Sequence, residues 1–111
     1  MILLPFPPSS LSGHNNGSWR GKSGTVQKYR TWAHLATLDA KPAVPDEGDI
    51  RIVIKFYPPD NRGDRTNYAN RMKPYIDGIA DALAVNDKRF LPSYEFFPPE
   101  KPGRVVIEVL A

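Results

Sequence analysis

Residues 49–57, Asp-Ile-Arg-Ile-Val-Ile-Lys-Phe-Tyr, carry the clearest structural signal in the chain. Isoleucine or phenylalanine stands at every second position, and Arg51 and Lys55 fall between them. This alternation of period two, in β-branched residues, predicts a strand with one buried face. Pro58 and Pro59 follow directly and cannot donate ladder hydrogen bonds, so we expect this central strand to end there.

Two segments on either side of the central strand have the three- and four-residue apolar spacing of amphipathic helices. The first, residues 24–38, places on one face Val26, Tyr29, Ala33, Leu35 and Ala36. The second has apolar residues at Met72, Ile76, Ile79 and Leu83. Pro74 is tolerated only in a first turn and marks where the second helix begins. Either Asn67 or Asn70 could cap it.

Further strands are predicted near both ends of the chain. Residues 2–6 indicate a short buried strand, and residues 9–23 a long polar loop. Residues 94–97 and 104–110 indicate two strands joined by a proline- and glycine-rich turn, which favours a hairpin. The order β-α-β-α-β-β predicts an α/β (α+β) domain over residues 1–111. Its small mixed sheet of about four strands would be flanked by two helices.

The composition excludes several classes of chemistry. The chain has no cysteine, which rules out disulfides, zinc–thiolate sites and thiol nucleophiles and suits a reducing compartment. His14 and His34 lack the spacing of a metal site or a hydrolase. Neither a signal peptide nor an apolar run approaching about 20 residues is visible, so we expect a cytoplasmic protein without a membrane span.

Positive charge is concentrated in the first third of the chain. Net charge is +3, and the first acidic residue is Asp39. The basic residues before it are interleaved with Trp19, Tyr29 and Trp32. This mixture suits a nucleic acid with exposed bases, although a solvated basic loop with core-facing aromatics is also compatible. We expect Trp32 to pack in the core, and Trp19 either to pack or to stack on a base.

Carboxylates offer the remaining chemistry. Asp60 and Asp64 follow the central strand, Asp87 follows the second helix, and Lys73 stands between them. A few carboxylates at neighbouring element ends are what a Mg²⁺-dependent nuclease needs, with a lysine to offset charge on the phosphate. Taken one at a time, such residues are more often plain surface groups.

Three segments in this order resemble the RusA family of Holliday-junction resolvases over almost the whole chain. The first is residues 3–10, Leu-Leu-Pro-Phe-Pro-Pro-Ser-Ser, followed by Tyr-Arg at 29–30. The second is Pro-Asp-Asn-Arg at 59–62 with Asn-Arg-Met-Lys-Pro-Tyr-Ile-Asp-Gly-Ile at 70–79. The third is Val-Asn-Asp at 85–87. The resemblance implies a homodimer with a basic saddle for four-way DNA junctions, which nicks paired strands with Mg²⁺ or Mn²⁺ held by aspartates.

The resemblance also implies roles for individual residues. Lys73 matches the family's catalytic-site lysine, Asp87 the aspartate after the helix, and Asn70 the asparagine of an Asp-x-Asp-Asn motif. That motif reads Asn-Tyr-Ala-Asn at 67–70, so both aspartates are missing. Asp64, alone or together with Asp60, would have to fold back to replace them. The implied catalytic set is Asp87, Lys73, Asp64 and Asn67, with Asp87 and Asp64 as metal ligands.

Three functions follow from the sequence. The first is a Mg²⁺-dependent endonuclease resolving four-way junctions in DNA recombination and repair. The second is a catalytically degenerate junction-binding protein on the same scaffold, and the third is an interaction domain unrelated to DNA. In the first two, the residues expected to hold the DNA backbone are Arg20, Lys22, Lys28, Arg30, Arg62, Arg65 and Arg71.

Overall fold

The computed structural model describes residues 1–11 and 19–110, with the backbone alone for residues 19–23. Its helices are α1 (Trp19–Ala40), α2 (Arg65–Tyr68) and α3 (Lys73–Leu83). Its strands are β1 (Ile2–Pro5), β2 (Ile50–Tyr57), β3 (Phe90–Phe96) and β4 (Arg104–Leu110). Short 3₁₀ turns cover Ser9–Leu11, Ala69–Arg71 and Asp87–Arg89. Within the described residues no helix has both the length and the apolar character needed to cross a bilayer.

The strands form one mixed sheet in the order β1-β4-β2-β3. β4 runs antiparallel to both β1 and β2, and β3 runs parallel to β2. The predicted mixed α+β class with about four strands is therefore confirmed.

The predicted hairpin of the last two strands is wrong, because β2 lies between β3 and β4. The connection after β3 runs along the end of β2 instead of reversing beside β3. Phe97 N–H donates to Phe56 O at 3.0 Å, and Glu100 N–H donates to Pro58 O at 2.8 Å. Turn composition predicts a change of direction, but it does not specify which strands pair.

The core lies between one face of the sheet and the layer formed by α1 and α3. The alternate β2 residues Ile50, Ile52, Ile54 and Phe56 are completely buried, as the period-two pattern predicts. Ala33 of α1 and Ile79 of α3 join them in one cluster. Trp32 packs against the same cluster, as expected.

The helices differ from expectation at their beginnings. α1 starts at Trp19, five residues before the predicted start, so the predicted loop is wrong for residues 19–23 and for the 3₁₀ turn at Ser9–Leu11. The rest of that loop, residues 12–18 with His14, lies outside the described residues. α3 begins after Met72, and no side chain caps it, so neither Asn67 nor Asn70 has the predicted capping role. α2 and a 3₁₀ turn lead straight into α3.

The hydroxyl of Tyr75 links α3 to β1 by donating to Pro5 O at 2.6 Å. Tyr75 is fully buried, and burial raises the pKa of its hydroxyl. Tyr75→Phe removes the donor and leaves that carbonyl without this partner, so we expect the free energy of unfolding to fall by about 1–2 kcal/mol. Urea unfolding measures the change. Tyr94→Phe, on an exposed side chain, is the control, and equal losses in both variants would contradict the prediction.

Candidate functional site: a lysine held by two aspartates

Lys73 lies between two carboxylates near the start of α3. Its ammonium contacts Asp77 Oδ1 at 2.8 Å and Asp87 Oδ2 at 2.5 Å. Asp77 is one helical turn further along α3, whereas Asp87 belongs to the 3₁₀ turn that follows the helix. The ammonium group of Lys73 therefore contacts both carboxylates and brings them close to each other.

The chain reversal after α3 returns Asp87 towards Lys73. Ala84 caps the helix in the left-handed conformation, with φ 55°, and its N–H donates to the last turn. The side chain of Asn86 then accepts from Lys88 N–H at 2.9 Å and caps the 3₁₀ turn that contains Asp87. The position of Asp87 is therefore fixed by backbone geometry as well as by its ion pair.

The ion pairs shift the pKa values of Lys73 and Asp87. The pKa of Asp87 lies below the usual aspartate value, mainly because Lys73 donates a hydrogen bond to it. The pKa of Lys73 is raised, first by Asp77 and then by Asp87. Both partners therefore stay charged at neutral pH, and the carboxylate of Asp87 remains an anion able to bind a cation.

Lys73 and Asp87 of this cluster line a depression of about 330 Å³ that opens beside the sheet. Its polar side is formed by Asn70, Lys73 and Asp87, and its apolar wall includes Pro92 and Tyr94 of β3. The side chain of Lys73 is largely exposed and that of Asp87 about one-third exposed, so a ligand has access to both.

Asp64 lies in a different place from Asp87. It caps α2, where its carboxylate accepts from the backbone N–H of Thr66 at 3.0 Å and from the Thr66 hydroxyl at 2.7 Å. These hydrogen bonds lower the pKa of Asp64. With Asp60 and Arg65 it lines a second depression, of about 300 Å³. Asn67 follows one turn later, and its N–H donates to Asp64 O at 2.9 Å.

The basic residues expected to contact DNA divide into two groups. Arg30 pairs with Asp81 at 2.7 Å, and Arg71 donates to Pro7 O at 3.3 Å, so both have partners within the fold. Arg62 and Arg65 are exposed around the Asp60 and Asp64 side of the molecule, with the Arg62 side chain 91% exposed. The exposed Lys28 lies over the Trp32 ring at 4.8 Å. Arg20 and Lys22 are in the first turn of α1, and their side chains lie outside the described part.

Asp77 belongs to the cluster, although neither the carboxylate pattern nor the family resemblance singles it out. It lies four residues after Lys73 on α3, the spacing at which opposite charges on a helix pair, and the two side chains form an ion pair. Asp81, four residues further on, pairs with Arg30 of α1 instead.

Oxygen donors lie near Lys73. Asp77 and Asp87 carry carboxylates and Asn70 carries an amide, and oxygen is the donor type that Mg²⁺ and Mn²⁺ prefer. The described residues contain no grouping of three or more His, Cys, Asp or Glu side chains suited to a metal. Mg²⁺ commonly binds through one or two carboxylates and retains several waters, and Asp87 and Asn70, which line the same depression, are the residues that could hold it.

Fold and site together define a small α+β protein whose lysine–aspartate cluster opens beside a mixed sheet. No family model matches the chain. An uncharacterized protein of Xylella fastidiosa (strain Temecula1) is 36% identical over 114 residues, covering 97% of this chain and 74% of that protein. The chain belongs to the same family as this Xylella protein. Because that relative is uncharacterized, the match shows a family relationship but gives no information about activity.

Proposed function

We propose that this protein is a Mg²⁺- or Mn²⁺-dependent endonuclease that resolves four-way DNA junctions by paired nicks. One observation carries the proposal: Lys73 and Asp87, both matched to RusA motif positions, are in direct contact at the rim of an open depression. A site of action in the cytoplasm, on recombining or damaged DNA, is part of the same proposal.

The chain's own residues have distinct roles in this proposal. Asp87 and Asn70 would offer oxygen atoms to the cation, while Asp77 would keep Lys73 directed towards the depression. A bound cation would polarise the phosphodiester and lower the pKa of an attacking water. Lys73 would then offset negative charge on the phosphate, at an exposed position where the DNA backbone can approach.

Asp64 and Asn67 complete the proposed catalytic set. Asp64 caps α2, and Asn67 lies one turn later. Because Asp64 lines a different depression from Asp87, it would serve as a second anionic ligand only if its loop folds back towards Asp87.

DNA would be held through its phosphates by the exposed basic side chains. Arg65 lines the depression that contains Asp64, Arg62 pairs with Asp60 of the same depression, and Lys28 lies on α1. Arg20, Lys22, Arg30 and Arg71 complete the proposed set. Because each neutralised phosphate releases counterions, binding should weaken steeply as salt increases.

A junction-binding protein without nuclease activity is the second candidate. Ala69 lies in the depression with Lys73 and offers no side-chain oxygen, and Lys73 already neutralises the carboxylates of Asp77 and Asp87. Such a protein would use the same basic residues and would leave the DNA intact.

The deciding experiment incubates the protein with a labelled four-way junction, with and without Mg²⁺ or Mn²⁺, alongside a linear duplex of the same sequence. Native gels report binding and denaturing gels report cleavage. Paired symmetric nicks support the nuclease, and a retarded but uncut junction supports the binding protein. Equal affinity for junction and duplex at moderate salt would exclude both and leave an interaction domain unrelated to branched DNA.

Lys73→Met is expected to strengthen metal binding and to weaken cleavage. Without the ammonium, Asp77 and Asp87 are two unneutralised carboxylates. Removing the single positive charge of the ammonium, about 4 Å from a divalent cation, removes a repulsion of roughly 2 kcal/mol in water, so we expect Mn²⁺ affinity to rise about thirtyfold while cleavage falls. Electron paramagnetic resonance of free Mn²⁺ measures the affinity. Lys88→Met removes the same charge from a neighbour with a smaller influence on Asp87, and a similar change in both variants would contradict the prediction.

A further inference from the structure

The segments that follow β1 and β2 meet at a pocket of about 330 Å³, distinct from the depression that contains Lys73. Its lining includes Phe6 and five prolines, namely Pro7, Pro8, Pro58, Pro59 and Pro102. Proline rings are apolar and lose almost no side-chain freedom on contact with a ligand. Ligand sites in proteins commonly begin at about this size. The proline pocket, as we call it, is therefore large enough for one large apolar side chain with a polar group beside it.

Gly103 supports the wall of the proline pocket from behind. A Cβ added at Gly103 would come within 2.8 Å of Pro59 Cδ and 3.1 Å of Phe6 Cβ, so the backbone lies directly against both residues. Its φ of 93° is a conformation that favours glycine. The wall is thus formed before a ligand enters, which lowers the entropic cost of binding.

Arg71 brings a positive charge to the proline pocket. Its guanidinium carbon lies 5.3 Å from the centre of the Tyr68 ring, and its Nη1 donates to Pro7 O at 3.3 Å. The Nε atom of Arg71 is buried and has no hydrogen-bond partner among the described residues. These contacts hold the guanidinium in place while leaving a buried N–H donor unused, and such a group calls for an explanation.

Arg71 also lacks an acidic partner in the part of the chain that the structure describes. None of the ion pairs formed there includes Arg71. Residues 12–18, which lie outside that part, contain neither Asp nor Glu. A charge that is partly buried is normally paired, so a fixed and unpaired guanidinium at the wall of a pocket indicates an anionic ligand.

The other charged groups of the proline pocket favour a carboxylate over a phosphate. Asp60 and Arg62 line it together with Arg71, so two cations and one anion give a net charge of +1. One carboxylate balances this charge, whereas a phosphate monoester carries about −1.5 to −2. Asp60 is about half exposed and would repel either anion unless the ligand also offers an N–H donor. A phosphodiester has no such donor.

We propose that the proline pocket binds the C-terminal residue of a partner protein. A large apolar side chain lies against the prolines, the terminal carboxylate accepts from Arg71, and the backbone N–H of the same residue donates to Asp60. A C-terminal residue carries all three groups on one Cα atom, and the planar guanidinium of arginine matches a carboxylate. Capture of a terminal carboxylate is a recurring mode of peptide recognition. This inference does not depend on the proposed nuclease activity.

Nuclear magnetic resonance titration of the ¹⁵N-labelled protein tests the proposal with three probes. These are acetyl-Gly-Gly-Phe as the free acid, the same peptide as its C-terminal amide, and inorganic phosphate. We expect the free acid to shift the backbone amides of Gly63 and Arg71, which line the pocket, with at least about tenfold higher affinity than the amide.

Three results would overturn the proposal: equal affinity for acid and amide, no shift with either peptide at about 1 mM, or stronger shifts with phosphate than with the free acid. The last result would favour a DNA phosphate, since Arg62 and Arg71 belong to the proposed DNA-binding set. Because no DNA is present and no cleavage is measured, failure here would leave the nuclease proposal standing.

A variant of the arginine provides an independent measurement. Arg71→Met, in protein shown by circular dichroism to be folded, should lower the affinity for the free acid at least about tenfold and leave the weak binding of the amide unchanged. Arg51→Met removes the same charge from an exposed arginine of β2 that does not line the pocket, and it should bind as the parent does. Parental affinity in folded Arg71→Met, or an equal loss in both variants, would overturn the proposal. The comparison of acid with amide uses the unaltered protein and so decides the matter even if Arg71→Met does not fold.

Discussion

Asp87→Asn is expected to lower junction cleavage more than about 100-fold while leaving junction binding unchanged. Replacing even an outer-shell partner of a metal ligand commonly costs 10–100-fold, and a direct ligand should cost more. Asparagine has nearly the same shape as aspartate and keeps one oxygen, so the backbone turn around residue 87 should persist. What is lost is the negative charge, together with one of the two carboxylate partners of Lys73.

Binding and cleavage should separate in this variant because they depend on different residues. The phosphates would be held by basic side chains such as Arg62 and Arg65, neither of which lines the depression of Asp87. Single-turnover cleavage on denaturing gels and binding on native gels measure the two properties. Asp46→Asn, in the exposed loop before β2, is the matched control. Cleavage by Asp87→Asn at the parental rate would remove Asp87 from the catalytic set.

Elements whose sequence pattern reports one-sided burial were predictable to within a residue or two. β2 begins one residue after the predicted start because its alternation directly encodes which face is buried. α3 runs between the predicted apolar positions for the same reason. The start of α1 was not predictable, because Trp-Arg-Gly-Lys-Ser at 19–23 has no apolar period and includes a weak helix former. The partner of β3 was not predictable either, since pairing between distant strands leaves no local signal.

The candidate site, too, could be predicted from the sequence only in part. The Lys73–Asp77 pair follows from helical spacing, but the approach of Asp87 depends on a left-handed residue at position 84. Glycine is the usual residue in such a left-handed position and would have predicted the turn, but the residue here is alanine. The place of Asp64 was missed because α2 is too short to show a period. The sequence Asp64-Arg65-Thr66 does carry the pattern of a helix cap, which was the available signal.

Gly78→Ala is expected to reduce the free energy of unfolding by about 3 kcal/mol, at the upper end of the usual cost of overpacking. Gly78 lies where α3 crosses α1. A methyl group there would come within 2.2 Å of Arg30 O and 2.9 Å of Ala33 Cβ. A backbone carbonyl in the middle of a helix cannot move away alone, so the two helices would have to separate. A domain of this size has a total stability of only about 5–15 kcal/mol, so the loss is a large fraction of it.

Gly24→Ala makes the same chemical change in α1 with the opposite expected sign. Nothing lies within 4 Å of the added carbon, and alanine favours a helix over glycine by about 1 kcal/mol. Urea unfolding of the two variants therefore separates the steric effect at the crossing from the intrinsic preference of alanine. If Gly78→Ala unfolds within about 0.5 kcal/mol of the parent, the close crossing of α1 and α3 is not rigid. Lys73 and Asp77 would then lie on a helix free to shift against α1, and the contact between Lys73 and Asp87 would have to be maintained by their ion pair alone.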